Sequence, residues 1–127
     1  MDQKLMEIRV TCHEPLCVEG KKQKIVMIPF GGEACGDYFT GKVTGPGVDT
    51  QKITDGKTVL SARYMLEGKD REGNDCRVFV ENQGGWDTGF TPTIVTDSPV
   101  LREWEDADLY ATAEGIPEGV MIRIFRK

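Results

Sequence analysis

The sequence is short of the features by which most enzyme classes announce themselves. It contains one histidine, His13, and as the chain neighbour of Cys12 this residue points the other way on a strand, so no Cys–His nucleophile pair forms there. No phosphate-binding loop, nucleophile elbow, dinucleotide fingerprint or zinc-protease motif occurs, which removes the chemistries those motifs support. The longest apolar run, Ile25-Val26-Met27-Ile28 before Pro29, is far short of the roughly 20 residues a membrane helix needs, and no membrane partner is expected. Positive charge is also scarce. Sixteen Lys and Arg against 21 Asp and Glu leave a net charge of -5, a field at odds with nucleic acid. The densest basic cluster, Lys21-Lys22-Gln23-Lys24, has no interleaved aromatic to stack a base and reads as a solvated turn.

The opening residues show no basic leader followed by an apolar stretch, so a cytoplasmic protein is expected, with Cys12, Cys17, Cys35 and Cys76 as free thiols. Cys12-His13 and Cys17 do not have the spacing of a closed zinc site. The acidic run Glu103, Glu105, Asp106 and Asp108 lacks both histidine neighbours and a calcium-loop spacing. Neither a metal nor a cofactor is expected.

What the sequence has in quantity is glycine, 15 residues, with six prolines and almost no helical periodicity. β-Branched and alternating blocks recur between Gly, Pro, Asn and Asp: 5–12, 24–30, 38–44, 48–54, 57–66, 76–82, 90–96, 109–113 and 120–125. Asp55-Gly56 between two extended runs predicts a tight hairpin. Asp97-Ser98-Pro99 before Val100-Leu101-Arg102-Glu103-Trp104 predicts one short helix, with a capping side chain and a proline at its first position. The 127 residues are one domain's worth. The fold class predicted is all-β, a single closed antiparallel up-and-down β-barrel of about eight to nine strands, wide enough inside for side chains or one small ligand.

From Pro29 nearly to the C-terminus the sequence resembles a family of small, mostly microbial proteins, the domain-of-unknown-function family DUF3237. The residues that carry the resemblance are Ile28-Pro29 before Gly31-Gly32, Gly36, Gly41-Lys42-Val43, Gly45, and Gly47-Val48-Asp49 with Gln51. They continue with Asp55-Gly56, Ala62-Arg63-Tyr64-Met65-Leu66, Gly73 and Val80-Glu81-Asn82-Gln83-Gly84. The resemblance implies a closed antiparallel barrel with a cavity at its mouth, self-association, and no established reaction. Three departures stand out: Thr50 where the family tends to have an aromatic, Ser61 where an acidic residue often precedes Ala-Arg-Tyr, and Trp104-Glu105-Asp106, of which only the tryptophan carries over.

Asp49, Arg63, Glu81 and Asn82 recur in the resemblance and lie inside strand-like segments. With Arg63 pointing inward beside Ser61 and Met65, the apolar set Leu60, Ala62, Tyr64 and Leu66 faces outward and needs a second subunit to cover it. On that view Asp49 or Glu81 is a general acid or base and Arg63 orients an oxygen of an unidentified small molecule. Tyr38, Tyr64 and Asn82 are further ligand contacts, and Trp86 and Trp104 lie near the mouth as a lid or cap an open end of the barrel. Two function classes follow. One is a ligand-binding barrel, with isomerase, cyclase or lyase chemistry that needs only proton transfer and a shaped chamber. The other is a non-catalytic homo-oligomeric subunit, with Arg63 paired to Asp49 or Glu81 as a structural ion pair.

Overall fold

The computed structural model describes residues 2–127. It contains ten strands: β1 (Gln3–Cys12), β2 (Leu16–Glu19), β3 (Lys24–Cys35), β4 (Phe39–Val43), β5 (Gly47–Thr54), β6 (Lys57–Asp70), β7 (Asp75–Gly85), β8 (Gly89–Thr96), β9 (Leu109–Ile116) and β10 (Gly119–Arg126). A 3-10 helix, Arg102–Asp106, lies between β8 and β9. Every strand pairing is antiparallel, and the circuit closes: β1 pairs β10, the order runs back through β9, β8, β7 and β6, and β3 returns to β1. Strands β4 and β5 share one place between β3 and β6. The chain turns between them at Gly45, whose φ of 67° lies in the left-handed region that glycine enters without strain. The result is an eight-place barrel in which β2, unnoticed in the sequence, is a short spur on the outer end of β3.

The hairpin at Asp55-Gly56 forms as its residues require. Both have positive φ, 51° and 77°, the conformation of the tight turn whose twist matches its flanking strands. Alternation then sends one set of side chains inside. Met6 and Ile8 of β1, Leu66 of β6, Val78 and Val80 of β7, and Ile124 of β10 are fully buried, each contributing roughly 1.5–3 kcal/mol by leaving water. The four cysteines are free thiols. Cys76 is buried as a small core residue, whereas Cys12 is exposed.

One end of the barrel is plugged by Leu5, Phe39, Leu101, Trp104 and Leu109, all buried. The helix predicted from Asp97-Ser98-Pro99 begins later, as a single 3-10 turn with no side-chain cap on Leu101. The predicted capping side chain is nonetheless in place ahead of that turn, and it is the Ser98 hydroxyl. It accepts the backbone N–H of Val100 and Leu101 and donates to Asp70 Oδ2 at 2.7 Å. Asp70, also buried, accepts further bonds from the backbone N–H groups of Glu72 and Asn74 and from the Asn74 amide. Burial pushes its carboxyl up, but these hydrogen bonds together hold it below the ordinary value. This knot locks the β6–β7 turn to the plug and extends both strands to Asp70 and Asp75, past the ends at Leu66 and Cys76 that the polar sequence between them predicts.

Candidate functional site

The other end of the barrel is open, and its residues come from one rule of strand geometry. Pairing sets Asp49 of β5 opposite Ala62 of β6 and Ala62 opposite Asn82 of β7, so the three share one inward-facing row. Tyr64, two residues along β6, lies in the next row deeper, and Leu60 in the next row toward the mouth. With Ile28 and Phe30 of β3, and with Val10, Val120 and Ile122 opposite, they enclose a cavity of about 70 Å3 measured as room for the centres of water-sized molecules. A single water needs only about 10–15 Å3 on that scale. The chamber therefore takes several waters or one ring-sized molecule.

Glycine makes part of that chamber. A Cβ on Gly47 would sit 2.6 Å from the Phe30 ring and 2.8 Å from Tyr64 Cβ. Its absence lets Phe30 and Tyr64 meet edge to face at 5.3 Å and form the deep wall. At the mouth Trp86, 61% exposed, packs at right angles on Phe90 at 5.5 Å.

The walls are apolar, but three side chains bring polar atoms into them. Asp49 Oδ1, Tyr64 OH and Asn82 Oδ1 are buried and have no hydrogen-bond partner among the described residues. Buried polar groups are nearly always satisfied by protein, water or ligand, so these three atoms are open hydrogen-bonding positions in the cavity wall; a fourth such atom, Ser61 Oγ, lies outside the lining. Asp49 Oδ2 accepts a hydrogen bond from Gln51 Nε2 at 2.9 Å. Burial raises the Asp49 carboxyl above its ordinary value, with the Gln51 bond opposing in part. The Tyr64 hydroxyl is pushed far up by burial alone. At the rim, Cys12 is raised by burial and then by the charge of Asp49.

Of the eight residues singled out in the sequence, the structure brings Asp49, Tyr64, Asn82 and Trp86 to this cavity. Arg63 and Glu81 lie outside it. The expectation that Arg63 points inward is corrected: Leu60, Tyr64 and Leu66 are the buried set, and the Arg63 side chain is 67% exposed. A lumen that offers Arg63 no closed ion pair would charge it the full cost of desolvation, whereas water outside costs nothing. Arg63 Nε instead sits 3.2 Å from Glu81 Oε2 on the barrel exterior. This is a solvated cross-strand pair rather than a buried one. Tyr38 and Trp104 belong to the plugged end, edge to face at 6.1 Å, and the expectation that Trp104 lies near the mouth is corrected in the same way. The residue missed in the sequence is Gln51. Its separation of two from Asp49 on a strand, which puts both on one face, was the available signal.

The family model for the group described as "Protein of unknown function (DUF3237)" matches residues 3–96. The chain belongs to the DUF3237 family. A UPF0311 protein from Clostridium acetobutylicum is 24% identical over 151 residues, covering 98% of this chain and 92% of the relative. A solved structure of a protein of unknown function from Clostridium acetobutylicum ATCC 824 matches with a TM-score of 0.85 at 23% identity, covering 99% of this chain and 95% of that one. An enzyme from Penicillium herquei matches with a TM-score of 0.76 at 13% identity, covering 99% of this chain and 92% of that one. At these identities the two structures share the fold with this DUF3237 protein. Among its described residues no helix is long and apolar enough to cross a membrane.

Proposed function

We propose that this DUF3237 barrel binds a small organic molecule in the open end of its lumen and that Asp49 moves a proton on it. The observation that carries the reading is the state of one carboxyl group. Asp49 Oδ2 is held by Gln51, while Oδ1 is buried, unpartnered and aimed into an apolar chamber. Because Oδ2 accepts the Gln51 N–H, a proton on the acid form belongs on Oδ1, and the base form presents its free lone pair from the same atom. A carboxyl raised toward neutrality exchanges a proton more readily than one at its ordinary value. Isomerase, cyclase or lyase steps of that kind need a proton carrier and a shape that holds the substrate against it, both of which this end of the barrel supplies. The likeness to an enzyme from Penicillium herquei agrees with such a use of the fold.

A thermal-shift screen with small organic compounds tests the reading, since a ligand that binds only the folded state raises its apparent melting temperature. The expected hit is dose-dependent and vanishes in Ala62→Leu, which fills the space between Asp49 and Asn82 while leaving both residues in the chain. Arg63→Ala retains it. A flat screen, or hits indifferent to Ala62→Leu, would overturn the lumen as the site.

A second reading, a self-associating subunit, is favoured by the exterior. Register sets Met65, Phe79 and Val95 side by side on the outer face of β6, β7 and β8, with Val95 53% exposed. The Arg63–Glu81 pair lies in the next row. Two copies packed face to face about a two-fold axis would set each Arg63 against Glu81 of the second copy, a self-complementary arrangement. Sedimentation is expected to show a dimer that Val95→Glu converts to monomer. A wild-type monomer counts against this reading.

A further inference from the structure

We infer that the lumen selects an uncharged ligand carrying an O–H or N–H donor and rejects anions. The inference rests on the reading of the lumen as a binding site and adds the chemical class of what enters. Its first support is an inventory of charge. Among the described residues the cavity lining contains no lysine, arginine or histidine, and Arg63, the one cation carried on the adjoining stretch of β6, points to solvent. An anionic group entering the chamber would lose its water and gain no counter-charge, and it would approach the Asp49 carboxyl. Burial of an unpaired charge is the most expensive event such a wall can impose.

The second support is the kind of bond left open. Asn82 Oδ1 can only accept, so whatever completes it must donate. Asp49 Oδ1 accepts when ionised and donates when protonated, and the Tyr64 hydroxyl does either. Asp49 and Asn82 flank Ala62 in one row of adjacent strands, so their Cα atoms stand about 9.5 Å apart across two strand spacings. The methyl of Ala62 between them leaves room for an apolar body whose polar edge reaches one wall or both. The other two groups that titrate in the lining, Cys12 and Tyr64, are charged only as anions. Neither supplies the missing counter-ion for an anion.

Discrimination of this sort works by leaving groups unpaired. A ligand without a donor leaves Asn82 Oδ1 stripped of water and unbonded, which costs more than a missing bond in solvent does. The test uses three probes of one size: benzyl alcohol, which donates; toluene, which cannot; and benzoate, which is charged at neutral pH. Saturation-transfer NMR and titration against the wild-type chain are expected to show benzyl alcohol binding about tenfold or more tightly than either of the others. In Asn82→Leu the advantage over toluene is expected to shrink to what Asp49 Oδ1 and Tyr64 OH still contribute. The wild-type comparison stands by itself should that variant not fold. Benzoate or toluene binding as well as benzyl alcohol, but lost in Ala62→Leu, would overturn the selectivity and leave the lumen as a site. Failure of all three to bind, or binding that Ala62→Leu does not affect, would overturn both.

Discussion

Replacing Trp104 with alanine is expected to lower the melting temperature by about 10–20 °C, from a loss of about 3–5 kcal/mol for a large buried aromatic and roughly 3–5 °C per kcal/mol for a domain of this size. Trp104 is 3% exposed and belongs to the same buried cluster as Phe39, Leu101 and Leu109, where it stoppers the barrel. It is absent from the lining of the open chamber. Below its new transition the variant should therefore bind ligand as the wild type does. Circular dichroism melts paired with titration at low temperature check both halves. Lost binding in a folded Trp104→Ala protein would show that the two ends of the lumen communicate.

Asp49→Asn is expected to separate stability from chemistry. With a substrate in hand, turnover should fall by about 100- to 10,000-fold, the usual worth of a positioned acid or base, because the amide cannot exchange the proton; its oxygen accepts from Gln51 and its NH2 group faces the chamber where Oδ1 stood. Stability should move the other way. The Asp49 carboxyl is raised above 3.8 in the folded chain, chiefly by burial. Below that pH both folded and unfolded forms hold the proton and nothing is lost. As pH rises toward the folded value the unfolded chain ionises first, so the wild type loses stability across that window and stays lower above it. Asparagine does not ionise. The variant should accordingly melt higher than wild type at neutral pH, and the gap should close as the solution is acidified. A variant that melts lower at neutral pH would mean that the carboxylate is stabilised where it sits, and the proton-transfer role would fall with it.

The wild type carrying a less stable group than it need do is a common mark of a site, because polar atoms that serve a ligand are left unsatisfied by the fold. Asp49, Tyr64 and Asn82 fit that description, whereas Asp70 and Ser98 do not. Those two are buried, more deeply than Asp49, and bonded to the chain, as structural polar groups are. Both clusters look alike in the sequence: a carboxylate in a β-rich segment with a polar neighbour. Only the hydrogen bonds tell them apart.

Much of the barrel was readable residue by residue. The extended blocks 5–12, 57–66 and 76–82 each became a strand, and Asp55-Gly56 named its own turn. These signals are local, set by backbone sterics and by the side chains on a single pleated strand. On β6 the apolar set Leu60, Ala62, Tyr64 and Leu66 was the plain candidate for the inside.

What the sequence by itself determined is the all-β class, most strand positions and the tight turns. The tertiary structure alone decided that Arg63 and Glu81 stand outside, that Trp104 closes the end opposite the mouth, and that Gln51 grips Asp49. Each of these depends on which strands meet across the barrel and at what register. A pairing such as Asp49 with Ala62 and Asn82 joins residues 13 to 33 positions apart, and it arises only when closure removes the sheet edges and the apolar rows pack against one another.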